Sequence, residues 1–239
     1  MQFIPIHTRV IQPPKDDLFQ VLSESIHDIQ NGDVVLITSK VVSIHEGRCV
    51  PIANIEKSNL IQTEAELLYH PDPVRRPLTV VHHALISSAG IDESNGDGYY
   101  TLLPEDPFAS AERIHTYLKD TFSLKELGVI VTDSHSVPFR YGALSIAIGC
   151  HGFEPIASHT GREDLFGRVM VYSKTNLPDA LAGGATLVSG ECDEAYPIVI
   201  ARDVPGIAFT ERDVRDSFFV TYEEDIFAPL FAQFRRKSK

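Results

Sequence analysis

Two acids stand directly behind apolar runs of strand length: Asp92, after LTVVHHALISSAG, and Asp133, at the end of LGVIVTD. Carboxylate, amide, hydroxyl and water oxygens are the hard ligands that Mg2+ or Mn2+ prefers, and such ions take their remaining ligands from substrate phosphates. Asn95 in DESNG and Ser134 in VTDSH lie beside the two acids, and Glu191 in SGECDE is a third acid on a glycine-led loop. Thr38, Ser39 and Lys40 fall at the end of the strand-like run DVVLITSK. Ligands of α/β proteins meet the sheet in that position, in a crevice outside the carboxyl ends of the strands. Gly90, Gly96 and Gly98 allow a loop whose N–H groups face a phosphate. The same composition also makes an ordinary turn, and the residues alone leave both readings open.

The elements that must position these groups follow from periodicity. QFIPI reads as a strand, and in PPKDDLFQVLSESIHDI the residues Leu18, Val21, Leu22, Ile26 and Ile29 recur at helical spacing. Asn31-Gly32-Asp33 closes that helix and turns the chain into DVVLITSK, a continuous apolar run of strand length. Residues 55 to 70 read as helical, PDPVRRP as a breaker-rich connector, and LTVVHHALISSAG as one strand-like run. Pro107 suits a first helical turn, with Ala111, Ile114, Leu118 and Phe122 on one face, and LGVIVTD is a buried strand ending on Asp133. LPDALAGGATLVSGECDEAYP reads as a helix weakened by Gly183-Gly184 and followed by a second acidic loop, PIVIARDV as a further strand, and the tail from Tyr222 as an amphipathic helix interrupted at Pro229 and ending in basic residues. No internal repeat or flexible linker separates these segments.

A formal charge of −12 disfavours nucleic acid and anionic membrane as partners, because the long-range field repels both. An anionic small substrate then needs local basic residues or a bridging metal. No apolar run approaches the ~20 residues of a bilayer crossing, and MQFIPIHTRV has neither a basic n-region nor a sustained apolar stretch, so a cytosolic location is expected. Cys49, Cys150 and Cys192 lie far apart without a CxxC pair and read as reduced thiols. His82, His83, His135, His151 and His159 form no HxH or HExxH spacing, so a transition-metal hydrolase site is disfavoured and they read as ordinary polar or core histidines.

Taken in order, TSKVVSIHEGR, SSAGIDESN, LLPEDPFASAERI, VIVTDSHSVPFRYG, GREDLFGR and LVSGECDEAYP resemble the coenzyme F420-0:L-glutamate ligase family, the γ-glutamyl ligases that lengthen a deazaflavin tail. Each segment alone is weak; six collinear ones are specific. The resemblance implies an α+β fold of mixed sheets and helices forming an intertwined homodimer, with a ligase domain over 1–205 and a C-terminal extension over 206–239. It also implies a GTP- or ATP-dependent ligase that joins L-glutamate to a carboxylate acceptor through an acyl phosphate, with Mg2+ or Mn2+ present. Carried over by position, Asp92 and Asp133 hold a metal, with Ser134 in place of a threonine and Glu191 in place of a glutamine. Ser39, Lys40, Asn95 and the loop containing Ser189, Gly190, Cys192 and Asp193 contact the nucleotide. Asp133, Lys40 and Arg140 are the catalytic candidates: Lys40 faces developing negative charge, or else is a snorkelling surface lysine. Arg140, Arg162 and Arg168 carry the guanidinium fork that receives a carboxylate, although the last two alternate with Glu163 and Asp164 and equally suit structural ion pairs.

Three departures bear on the acceptor. Ser136 and Val137 replace a glycine and an arginine of the family segment, Ile44 stands where many members carry a lysine, and Glu191 adds negative charge. Losing a cation and gaining an anion disfavours a strongly anionic acceptor, so a reduced folate competes with F420-0 as the expected substrate. The altered DSHSVPFR segment also suits a nucleotide- or metal-binding regulator without a ligase step.

Overall fold

VVLIT, GVIVT and IVIAR are apolar at successive positions, so strands made from them must be covered on both faces. In the computed structural model, which describes residues 1–72 and 74–236, they are neighbouring strands of one sheet. The first half of the chain forms β1 (Gln2–Ile6), α1 (Leu18–Ser25), β2 (Val34–Thr38), α2 (Ser39–Glu46), β3 (Cys49–Pro51), α3 (Lys57–Glu64), β4 (Leu67–Tyr69), β5 (Leu78–Val81), β6 (Ala84–Ser87) and β7 (Tyr99–Thr101). The second half forms α4 (Pro107–Phe122), β8 (Gly128–Ser136), β9 (Ala143–His151), β10 (Ile156–Ser158), β11 (Lys174–Asn176), α5 (Leu177–Ser189), β12 (Ile198–Arg202), α6 (Arg215–Phe218), α7 (Ala228–Phe231) and β13 (Arg235–Arg236).

The central sheet has the order β1-β12-β2-β8-β9, with β2 and β8 parallel and the other neighbours antiparallel. Alternation splits its side chains between two cores. Val35, Ile37, Val129, Val131, Ile198 and Ile200 pack with α1, α2 and α4, whereas Val34, Leu36, Ile130, Val199 and Ala201 pack with Leu181, Ala182 and Ala185 of α5. Each such large aliphatic side chain contributes about 1.5–3 kcal/mol on burial. The second core also takes in Val214, Phe218 and Phe219, so residues beyond 205 help to cover the sheet. A separate sheet, β13-β4-β5-β6, and the pairs β3-β7 and β10-β11 complete the mixed α/β architecture.

Local chemistry sets the helix boundaries. The Asp106 carboxylate accepts from the N–H groups of Phe108 and Ala109 at 3.1 Å, ahead of Pro107 at the first turn of α4. Such a cap is worth about 1 kcal/mol. In α5, Gly184 is a packing device as much as a weakness, because a Cβ there would come within 2.5 Å of the Phe3 ring.

Several expectations need correction. α1 ends at Ser25, so Ile26 and Ile29 lie beyond it; the chain runs on to Asp28 and Asp33, both of which Arg202 holds. The helical reading of 55 to 70 shrinks to α3, and β4 follows at once. LTVVHHALISSAG is a hairpin, because His82 and His83 adopt φ of 49° and 60° and reverse the chain between β5 and β6. β8 continues to Ser136, so Asp133 lies within a strand whose last residues pair with β9. The tail is no long amphipathic helix: α7 spans four residues, and the chain then pairs with β4 through β13. Tyr69 stacks on Phe234 there, and edge-strand pairing takes the place of a second helical turn. The basic end at 237–239 lies outside the described residues. The three cysteines are free, Cys150 buried and Cys192 exposed.

Candidate functional site

Parallel pairing of β2 with β8 sets Thr38 opposite Thr132, so the next residues, Ser39 and Asp133, lie side by side. Ser39 opens α2, and its hydroxyl donates to Asp133 Oδ1 at 2.5 Å. Lys40 follows in the same first turn, where the helix carries partial positive charge. Its Nζ reaches Asp92 Oδ2 at 2.6 Å and donates to the Ser94 carbonyl at 2.8 Å and to the Ser94 hydroxyl at 3.0 Å.

Asp92 enters from the loop between β6 and β7, fixed by paired hydrogen bonds with Thr101 at 3.0 and 2.9 Å. Its Oδ1 accepts from the N–H groups of Glu93 and Ser94 at 2.7 and 2.9 Å, and its Oδ2 accepts from the Ser94 hydroxyl at 2.9 Å. Gly96 and Tyr99 donate their N–H groups to carbonyls of the same loop. The glycine-rich stretch is therefore a turn that satisfies itself, and its contribution is to aim the acid and Asn95.

The two acids are driven apart electrostatically. Burial pushes the Asp133 carboxyl up to about 7, with the Asp92 charge adding to the rise while Ser39 and Lys40 oppose it. Burial also disfavours charge on Asp92, but Lys40 and the Ser94 N–H outweigh it and hold that carboxyl below its usual range. An ionised acid beside one that keeps its proton near neutral pH is the arrangement expected where a cation is to be received.

The third wall comes from the end of α5. Ser189 closes the helix and Gly190 leaves it at φ 75°. The Ser134 hydroxyl donates to Glu191 Oε2 at 3.3 Å, and the Asn95 amide donates to the Cys192 carbonyl at 2.9 Å. Glu194 Oε2 accepts from the Cys192 N–H at 2.8 Å and so shapes the loop, which leaves Asp193 exposed. Ser39, Lys40, Asp92, Asn95, Asp133, Ser134, Glu191 and Cys192 are thus linked by direct contacts across four segments. Ser94, which sequence reading passed over, is the partner that anchors Lys40; its place between Asp92 and Asn95 was the available signal. The oxygen donors of Asp92, Asp133, Ser134 and Glu191 fit a hard divalent ion, and the high Asp133 carboxyl marks a charge that its neighbours leave undercompensated.

The arginines lie apart from this cluster. Arg140 is exposed at the β8–β9 tip, donating to the Phe139 carbonyl at 3.0 Å, between the fully exposed Phe139 and Tyr141. GREDLFGR forms a hairpin in which the Asp164 carboxylate accepts from the N–H groups of Phe166 and Arg168 at 2.8 and 2.9 Å. Arg162 meets the His159 ring at 3.3 Å, and neither Arg162 nor Arg168 makes an ion pair among the described residues. Ile44 is buried in the core, far from serving as a charged nucleotide contact. Among the histidines, His151 meets His115 and Glu211 at another end of the molecule. No helix among the described residues is long and apolar enough to cross a membrane.

Comparison with known proteins matches residues 5–203 to the family model described as F420-0:gamma-glutamyl ligase. Among similar proteins are the coenzyme F420:L-glutamate ligases of Methanopyrus kandleri, 35% identical over 83% of this chain and 84% of the relative, and of Methanothermobacter thermautotrophicus, 35% identical over 79% and 81%. That of Halorubrum lacusprofundi is 34% identical over 88% of this chain and 89% of its own. The match spans the central sheet, the Asp92 loop, β8 and the loop after α5, and the chain belongs to the F420-0:gamma-glutamyl ligase family.

Proposed function

We propose that this protein is a nucleotide-dependent γ-glutamyl ligase that adds L-glutamate to F420-0, as the names of its relatives describe for them. The observation that carries the reading is the convergence of Ser39 on Asp133 and Lys40 on Asp92, which gathers oxygen donors and an ammonium where β2 ends beside β8. Asp92, Asp133, Ser134 and Glu191 would hold Mg2+ or Mn2+. When bound, such an ion offsets the charge on phosphate oxygens.

The remaining steps fall to the chain's own groups. The α2 N-terminus and Lys40 face the terminal phosphoryl of GTP or ATP, and Ser39, Asn95 and the Ser189–Asp193 loop position the nucleotide. Transfer of that phosphoryl to the acceptor carboxylate gives an acyl phosphate. The glutamate amine then attacks its carbonyl carbon, forming the amide and expelling phosphate. Arg140, which makes no ion pair among the described residues, receives an anionic substrate. The exposed Phe139, Tyr141, Leu165, Phe166 and Tyr172 support a homodimer in which a second copy covers these hairpins.

Product mass tests this reading. Purified protein with glutamate, Mg2+ or Mn2+, and GTP or ATP is offered F420-0 and tetrahydrofolate separately, and a glutamate-sized increment on F420-0 is expected. Phosphate release without any glutamylated product would remove the ligase step. An increment on tetrahydrofolate alone would transfer the reaction to a folate acceptor, consistent with Val137 and Ser136 replacing the family's arginine and glycine.

A further inference from the structure

The far end of β8 carries a side-chain cluster that the ligase reading does not use. His151 closes β9 opposite Val129, four residues before Asp133 on the neighbouring strand, a separation of about 13 Å at roughly 3.3 Å per residue. His115 projects from α4, and the two imidazoles meet edge to face with centroids 4.7 Å apart. They are 2% and 8% exposed. Glu211 arrives on the segment after β12, which is held to residues 152–154 by bonds from Glu154 N–H to the Ala208 carbonyl at 2.8 Å and from Thr210 N–H to the Gly152 carbonyl at 3.0 Å. One ligand atom from each of His115, His151 and Glu211 lies within 4.8 Å of the others.

Two features bear on what this corner can hold. His115 Nε2 is enclosed and makes no hydrogen bond of ordinary length and angle among the described residues, although the Leu127 carbonyl stands near the ring. Gly152, at φ 93°, lets the chain pass close against the ring: a Cβ there would come within 2.9 Å of that nitrogen and 2.1 Å of the Leu127 carbonyl oxygen. Lys119, one turn along α4, donates to Glu211 Oε1 at 2.5 Å, and Oε2 makes no hydrogen bond among the described residues.

We propose that His115, His151 and Glu211 form a second metal site, for a transition-metal dication such as Zn2+, that fastens residues 208–211 to α4 and β9. Two imidazoles and one carboxylate suit zinc rather than the hard ions favoured by an all-oxygen set, and a water completes the tetrahedron. The site is separate from the ligase machinery and stands whether or not that reading holds.

Protein stripped with a chelator and titrated with Zn2+, then with Co2+ as an optical probe, tests it. One Zn2+ per chain is expected, together with a higher thermal midpoint and the visible bands of four-coordinate Co2+. His115→Gln and His151→Gln should each weaken Zn2+ binding on the order of a hundredfold. Glu211→Gln, at an exposed position where folding is not at risk, should weaken it about tenfold or more. Unchanged Zn2+ affinity in Glu211→Gln and in whichever histidine variant folds would overturn the proposal. So would loss of the Zn2+ site in Asp133→Asn.

Discussion

The two ends of the central sheet handle charge in opposite ways. Where β2 begins and β12 ends, Asp33 is 1% exposed, yet the Arg202 guanidinium binds both its oxygens, at 3.0 and 2.9 Å, and reaches Asp28 Oδ2 at 2.9 Å. Where β2 ends, Asp133 has a serine hydroxyl for a partner, and the one nearby ammonium is engaged by Asp92. β2 thus has a fully matched ion pair at one end and an undermatched charge at the other. Matched charge ties the sheet together, and undermatched charge is stability given up so that a ligand can supply the missing partner.

Removing the undermatched charge should break this contrast most sharply. Asp133→Asn is expected to lower phosphate release and glutamate addition on the order of 10³-fold, a loss typical of a central electrostatic group. In chelator the same variant should be more stable than the parent at pH 8. The folded state raises this carboxyl from the ordinary range near 4 to about 7, so its favourable contribution is complete below the ordinary value and lost as pH rises through about 7. The thermal midpoints of the two proteins should therefore converge as pH falls toward 4. A variant that is inactive and also less stable at pH 8 would contradict the account.

At the matched end the outcome should invert. Arg202→Ala leaves Asp33 buried without its cation and should cost about 3–5 kcal/mol in denaturant unfolding, while turnover per folded molecule stays at the parent value. Back at the site, Lys40→Met should reduce phosphate release about 100-fold with a modest effect on stability, because Lys40 is partly exposed. The smallest change is expected for Ser134→Thr, which keeps the hydroxyl at an exposed position and should stay within about 0.5 kcal/mol in stability, with product formation close to that of the parent.

The contrast also explains what could be read in advance. β1, β2, β8, β12, α4 and α5 were legible because continuous apolar runs and a 3.6-residue stripe are local signals. Asp92, Asp133 and Asn95 were candidates by their place behind apolar runs, but the same composition makes an ordinary turn, and it was the collinear family segments that assigned them roles. The hairpin at His82-His83 was not legible, since the turn rests on two non-glycine residues with positive φ and no Gly or Asn marks it. The short α1 and the β13–β4 pairing depend on partners distant in sequence, Arg202 in one case and the Tyr69 strand in the other. The meeting of His115 with His151 was hidden for the same reason: neither spacing nor composition shows that the middle of a helix and the end of a strand share a corner.

The clasp of Lys40 on Asp92 has a consequence for how a nucleotide arrives. With its ammonium already held, an incoming triphosphate meets no bare cation and must exchange partners with a carboxylate that a divalent ion can then take over. Under the proposed ligase reading, metal and nucleotide would thereby help each other in. Each should bind more tightly once the other is present, and by the same factor.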